Sequence, residues 1–257
     1  MQLLERIGRL LAYYLNQPNK HRIQVASCKP DQLAATLRKG DVLLVEGDSR
    51  FSTAIKYLSQ STWSHAALVI SDIQNLSGSQ INEAKLLEAD VLEGVRVLPL
   101  SEYWEAHTRI CRPIGLTAEE IDAVVAAAMS RIGHQYDLKN IFDLARYLIQ
   151  TPPAPARWRR RMLALGSGDP TRAICSSLIA EAFQSIRYPI LPESIIAKSK
   201  DATCIDCYEE FLSIRHSSLF APRDFDISPY FQIIKPSLEV EFDFRNLNWN
   251  DNEHPAE

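Results

Sequence analysis

The sequence lacks three features that would each have settled its class: a long hydrophobic run, a surplus of one charge, and a framework of paired cysteines. Near the N-terminus the longest unbroken apolar stretch is residues 10–15. That is shorter than the apolar region of a signal peptide and far short of the ~20 residues that span a bilayer. Lys and Arg total 28 against 32 for Asp and Glu, a formal net charge of −4, so no general attraction to nucleic acid is implied. The five cysteines form an odd, irregularly spaced set. With no secretory signal in view, free thiols in a reducing compartment are expected, and with them a cytoplasmic location. Cys204 and Cys207 have C-x-x-C spacing, but no second pair completes a zinc set. There is no phosphate-binding glycine loop, nucleic-acid motif or internal repeat, and the expectation is a protein without metal or cofactor.

What the chain does have is material for a core. Hydrophobic residues make up 46% of 257 and charged residues 23%, which suits one large globular domain with additions. Residues 1–30 are expected to form an amphipathic helix and linker, because Leu3, Leu4, Ile7, Leu10, Leu11, Tyr14 and Leu15 recur at helical spacing. Two readings stay open for it: packing against the domain, or peripheral membrane contact through Arg6, Arg9 and Lys20. The domain itself is placed at 31–238. Residues 31–38 read as a helical turn with Asp31 as N-cap, VLLVEG after Gly40 and Asp41 as a buried strand, and 51–60 as a helix. SHAALVI is a second buried strand, KLLEADV and GVRVLPL form a hairpin, and RICRPIG (109–115) is a further strand. Thr117 and Glu120 make a capping box for an Ala-rich helix running to Gly133. HQYDLKNIFDLARYLIQ reads as helical, and 150–172, rich in Pro, Arg and Gly, as a surface insertion. A helix carrying Cys175 follows. ATCIDCYEEFLSIRH is expected to be helical and FDISPYFQIIKP a closing strand, before an acidic tail at 239–257. Grouped strands followed by helices give an α+β fold, an antiparallel sheet with helices packed against it.

The stretch ICSSLIAEAF (174–183) places Cys175 in the first turn of an amphipathic helix. Free backbone N–H groups and the helix dipole favour a thiolate there, and with a histidinium nearby lower a thiol pKa by roughly 1–5 units. Nucleophilic thiol chemistry also needs a base and a group to orient that base. Of the six histidines, His65 alone opens an apolar strand, in TWSHAALVI. A satisfied core histidine has the same pattern. Glu88 is an acid within the otherwise apolar strand LLEADV, with Asp90 on the same face. Taken alone it reads as an exposed strand residue, so the residues by themselves leave both alternatives open.

Taken in order, these stretches resemble the circularly permuted papain-like hydrolases, in particular the YiiX-like branch of the NlpC-type superfamily. There the histidine strand comes early and the nucleophile helix late. GDVLLV (40–45), WSHAALVI, LLEADVLEGVRVLPLSEYW (86–104), GHQYDLKNIF (133–142), ICSSLIAEAF and FAPRDFDISPYFQIIKP (220–236) each resemble a segment of the pattern, across residues 33–236. The resemblance implies a permuted papain-like fold with Cys175 as nucleophile, His65 as base and Glu88 as the acid that orients it. It also implies that Tyr136 and Asp137 line or brace the site, with Ser64 and Ser176, beside His65 and Cys175, as substrate contacts. The chain departs from the family at Ser177, where an acidic residue is common.

The implied activity is cleavage of an amide or ester bond through an acyl-enzyme, on a peptide- or isopeptide-like substrate. One alternative is a lipid acyltransferase or thioesterase of the permuted lecithin–retinol acyltransferase-like type, although ICSSL lacks that branch's NCEHF pattern. Another, from a different class, is a non-catalytic binding module on the same fold. RWRRR (157–161) reads either as a solvated loop face or as a guide for an anionic substrate or membrane surface. The sequence carries no signal for an oligomeric state.

Overall fold

The computed structural model describes residues 26–73, 84–90, 93–134, 174–198 and 208–236, together with Tyr13 and Gln17. The expected N-terminal helix, residues 135–173 with Tyr136, Asp137 and RWRRR, the Cys204–Cys207 pair and the acidic tail lie outside the described residues. The described elements run α1 (Pro30–Thr36), β1 (Val42–Glu46), α2 (Arg50–Ser59), β2 (His65–Val69), β3 (Lys85–Asp90), β4 (Gly94–Pro99) and β5 (His107–Pro113). Then come α3 (Ala118–Met129), α4 (Ile174–Ser185), β6 (Glu193–Lys198), β7 (Tyr208–Ser213), α5 (Pro222–Asp226) and β8 (Phe231–Ile234).

Six strands form one sheet in the order β4-β3-β2-β1-β5-β8, every neighbouring pair antiparallel. Side chains alternate between its faces. Val42, Leu44, Ala66, Leu68 and Leu87 pack with α3 and α4 through Val124, Leu178, Ile179 and Phe183. Leu43, Val45, Ala67, Val69 and Leu86 pack on the other side with Leu33 of α1 and with Leu37 just beyond it. Because apolar groups cover both faces of β1 and β2, these strands read as continuous hydrophobic runs instead of alternating ones. The α+β architecture with an antiparallel sheet is the one expected.

The Gly40-Asp41 pair fixes where β1 begins. Asp41 is 1% exposed, and its carboxylate accepts from Arg112 Nε at 2.9 Å, Arg112 Nη2 at 2.8 Å and the Arg38 backbone N–H at 2.8 Å. This clamps β1 to β5 across one end of the sheet. Gly40 has φ +87°, and a Cβ there would meet Ile121 Cγ2 at 2.9 Å, so backbone conformation and space both select glycine.

Two local expectations are corrected. Asp31 is not the N-cap of α1. Lys29 holds that position and Pro30 opens the helix, where its fixed φ and missing N–H suit the first turn. YEEFLS, expected to be helical, is strand β7, paired antiparallel with β6 from Tyr208↔Lys198 to Ser213↔Glu193. A partner strand outside the segment itself overrides a weak local helical pattern. By contrast the Thr117–Glu120 capping box forms, with Glu120 Oε2 accepting from Thr117 N at 2.8 Å.

Candidate active site

The turn before β2 sets the position of His65. Ser64 N donates to the Val45 carbonyl at 3.1 Å, and Ser64 Oγ accepts from Gly47 N at 2.8 Å. Trp63 and Ser64 are buried, and His65 follows as the first residue of β2, opposite Val45, with its side chain 23% exposed. Ser64, expected to contact substrate, spends its hydroxyl on this turn.

On the neighbouring strand β3, Glu88 is 2% exposed and its Oε2 lies 2.5 Å from His65 Nε2. Asp90 is turned to the hairpin, where its Oδ1 accepts from Glu93 N at 2.9 Å. The rest of the Glu88 carboxylate is filled by two residues that the sequence reading did not single out. Arg96 stands directly across the β3–β4 ladder and donates to Oε1 from Nε at 2.8 Å and Nη2 at 2.7 Å. Tyr103, from the short turn that follows β4, donates its hydroxyl to Oε2, the oxygen that faces His65. Arg96 was within reach of sequence reasoning, since the hairpin register that pairs Asp90 with Gly94 sets it opposite Glu88. Nothing local marks Tyr103.

α4 brings the cysteine. Leu178, Ile179, Ala182 and Phe183 are buried against the sheet, which anchors the helix and carries Cys175 in its first turn to β2. The His65 ring and the Ala66 backbone both act on the Cys175 sulfur, with Ser176 Oγ 4.0 Å away. Since Nε2 faces Glu88, Nδ1 is the ring nitrogen left for other partners. Ser176 is fully buried, and Ser177 Oγ is buried with no hydrogen-bond partner among the described residues.

The charges in this series hold one another. Burial opposes ionisation of Glu88, but the adjacent His65 charge and the hydrogen bonds from His65, Tyr103 and Arg96 pull its carboxyl down to about 2. Burial likewise opposes a charged His65. Cys175 and Glu88 on either side outweigh it, and the imidazole is raised well above its ordinary value. Burial pushes the Cys175 thiol up, while the charge and hydrogen bond of His65 more than offset this and leave it below its ordinary value. Burial and the neighbouring Glu88 charge raise Tyr103 well above a normal phenol, so it remains a donor. The arrangement favours a thiolate–imidazolium pair backed by a carboxylate.

A sheet with its histidine strand early in the chain and a cysteine helix late is the arrangement of a permuted papain-like protein. Residues 36–147 match the family described as permuted papain-like amidase enzyme, YaeF/YiiX, C92 family. The matched stretch contains His65, Glu88, Arg96 and Tyr103 and ends before Cys175. Among solved structures, metalloprotein yiiX from Escherichia coli O157:H7 is similar at 15% identity and a TM-score of 0.44, covering 77% of this chain and 96% of that one. No curated protein matches the chain. Among the described residues, no group of three or more His, Cys, Asp or Glu side chains stands together as a metal site, and no helix is long and apolar enough to cross a membrane.

Proposed function

We propose that the chain hydrolyses an amide bond in a peptide- or isopeptide-like substrate, with Cys175 as nucleophile, His65 as acid and base, and Glu88 as the group that orients His65. The observation that carries this reading is the place of the His65 ring, which acts on the Cys175 thiol on one side and has its Nε2 2.5 Å from the Glu88 carboxylate on the other. The thiolate attacks the carbonyl carbon and forms a C–S bond. The resulting oxyanion meets the backbone N–H of Cys175, which lies in the first turn of α4 and has no acceptor within the helix. As the C–N bond breaks, His65 gives its proton to the departing amine and leaves a thioester on Cys175. Water then loses a proton to His65 and attacks the thioester, the acid is released, and the thiolate–imidazolium pair is restored.

The ionisation of the pair favours an amide over an ester. An amine leaves poorly unless it is protonated, and the imidazolium next to the thiolate is the donor that supplies this proton. Glu88 holds the ring in place, and Arg96 and Tyr103 position Glu88. A thiolate nucleophile works only when reduced, which fits a reducing compartment such as the cytoplasm.

The test is to offer matched amide and ester substrates with the same acyl group and to trap the intermediate by acid quench for intact-mass measurement. An acyl adduct on Cys175, absent in Cys175→Ala and formed from the amide, is expected. Amide turnover that survives Cys175→Ala would overturn the reading.

A further inference from the structure

A second feature lies at the same end of the sheet and is not used by the chemistry above. A cavity of about 720 Å³ opens between the end of β1, α2, the start of β5, and α5. Its size is that of a small-molecule site. Its lining is charged. Lys56 from α2, Arg109 from β5 and Arg223 from α5 converge on it, and the carboxylates Glu46 and Asp226 share the wall.

Each group in this wall has an assigned place. Glu46 takes Lys56 Nζ at 3.2 Å on one oxygen and His107 Nδ1 at 2.9 Å on the other. Asp226 takes Arg109 Nη1 at 2.6 Å and the Trp63 indole N–H at 3.0 Å, and the Arg109 guanidinium sits 4.9 Å over the Trp63 ring. The Lys56 side chain is nine-tenths buried, so its ammonium is largely withdrawn from water while held in place by Glu46 and the Gly47 carbonyl at 2.7 Å. Arg223 differs from the other two cations. Its Nη1 donates at 2.8 Å to the Ser59 carbonyl, which is neutral. Among the described lining residues three cations stand against two carboxylates, and Arg223 is the one that bonds to a neutral acceptor.

We propose that this cavity is a binding site for a small anionic group, a carboxylate or a phosphate, recognised by Arg223 with Lys56 behind it. The carboxylates fix the cations and so reduce the ordering cost on binding, and the guanidinium fork suits either oxyanion. Its wall residue Trp63 leads within two residues to His65, so occupancy of the cavity bears on the entrance to β2. The site does not depend on Cys175 being a nucleophile.

Trp63 supplies the readout, because its indole N–H is part of the wall. The full chain is titrated with inorganic phosphate and separately with acetate, at constant ionic strength against sodium chloride, while the Trp63 indole N–H resonance is followed by NMR. A saturable shift with one of the two anions is expected, weakened about tenfold or more in Arg223→Gln and in Lys56→Gln, and unchanged in Cys175→Ala. Tighter binding of phosphate or of acetate assigns the ligand class. The unperturbed Trp63 signal in each variant reports that the wall is intact. A shift that chloride reproduces, or one that both Arg223→Gln and Lys56→Gln leave unaltered, overturns the proposal. Persistence of binding in Cys175→Ala separates this result from any failure of the hydrolase reading.

Discussion

Cys111 and Cys175 lie in the same apolar cluster, 0% and 3% exposed, and their thiols are driven in opposite directions. Cys111 sits within β5 between Val42 of β1 and Ile233 of β8. Burial pushes its thiol far up, Asp226 adds to this, and Arg109 offsets only part of it. Cys175 carries the same burial cost, yet an imidazole braced by Glu88 stands against its sulfur and brings the thiol below its ordinary value. Burial alone makes a cysteine inert. Burial beside a fixed countercharge favours its thiolate, because low polarity strengthens the attraction that offsets desolvation.

Replacing each cysteine is the strongest way to break this contrast. Cys175→Ala should lower amide turnover by roughly 10³-fold or more, as loss of a nucleophile does. Cys111→Ala should leave turnover near wild type and cost on the order of 1–2 kcal/mol of stability through the cavity it opens. Turnover assays and denaturant melts on the two variants measure both effects.

The countercharge comes next. Glu88→Gln keeps the side chain's shape and removes the charge that holds His65, so turnover should fall by about 10²–10⁴-fold. Asp90→Asn, in the hairpin turn, should leave it within about twofold. Equal losses in both variants would mean that the shared strand face, and not the contact with His65, sets the effect.

Tyr103→Phe sharpens the comparison at its edge. Loss of the hydroxyl donor should cost about tenfold in turnover and raise the Glu88 carboxyl, moving the acid limb of the activity profile to higher pH. A purely structural role would lower activity without moving that limb.

The smallest effect is on acid stability. Glu88 is lowered from 4.5 to about 2 by folding, so its contribution is fully present above pH 4.5 and fades as pH falls toward about 2. Denaturant melts across that range should show a shallower loss in Glu88→Gln than in wild type.

How much of this was legible in the sequence depends on whether the signal was local. β1 and β2 stood out as apolar runs, α3 by its capping box, and the β3–β4 hairpin by its two strands around Gly94. His65 and Glu88 were visible as polar residues within apolar strands, and motif order tied them to Cys175 across more than a hundred positions. β7 was misread because its partner β6 has no local trace in it. Tyr103 escaped for a related reason, since only the folded path of the chain after β4 brings its hydroxyl to Glu88. The Arg223 cavity also joins α2, β5 and α5, elements that no sequence pattern connects.

The central claim is that His65 turns a buried thiol into a thiolate, and the pH dependence of alkylation tests it most directly. Peptide mass mapping after brief iodoacetamide pulses follows Cys175 and Cys111 in the same sample. Wild-type Cys175 should react below the ordinary thiol value, while Cys111 stays unmodified until the chain unfolds. In His65→Ala burial of Cys175 is opposed only by the Ala66 backbone and Ser176, so its reactivity should move to higher pH, toward that of Cys111. A Cys175 profile that is the same with and without His65 would contradict the account.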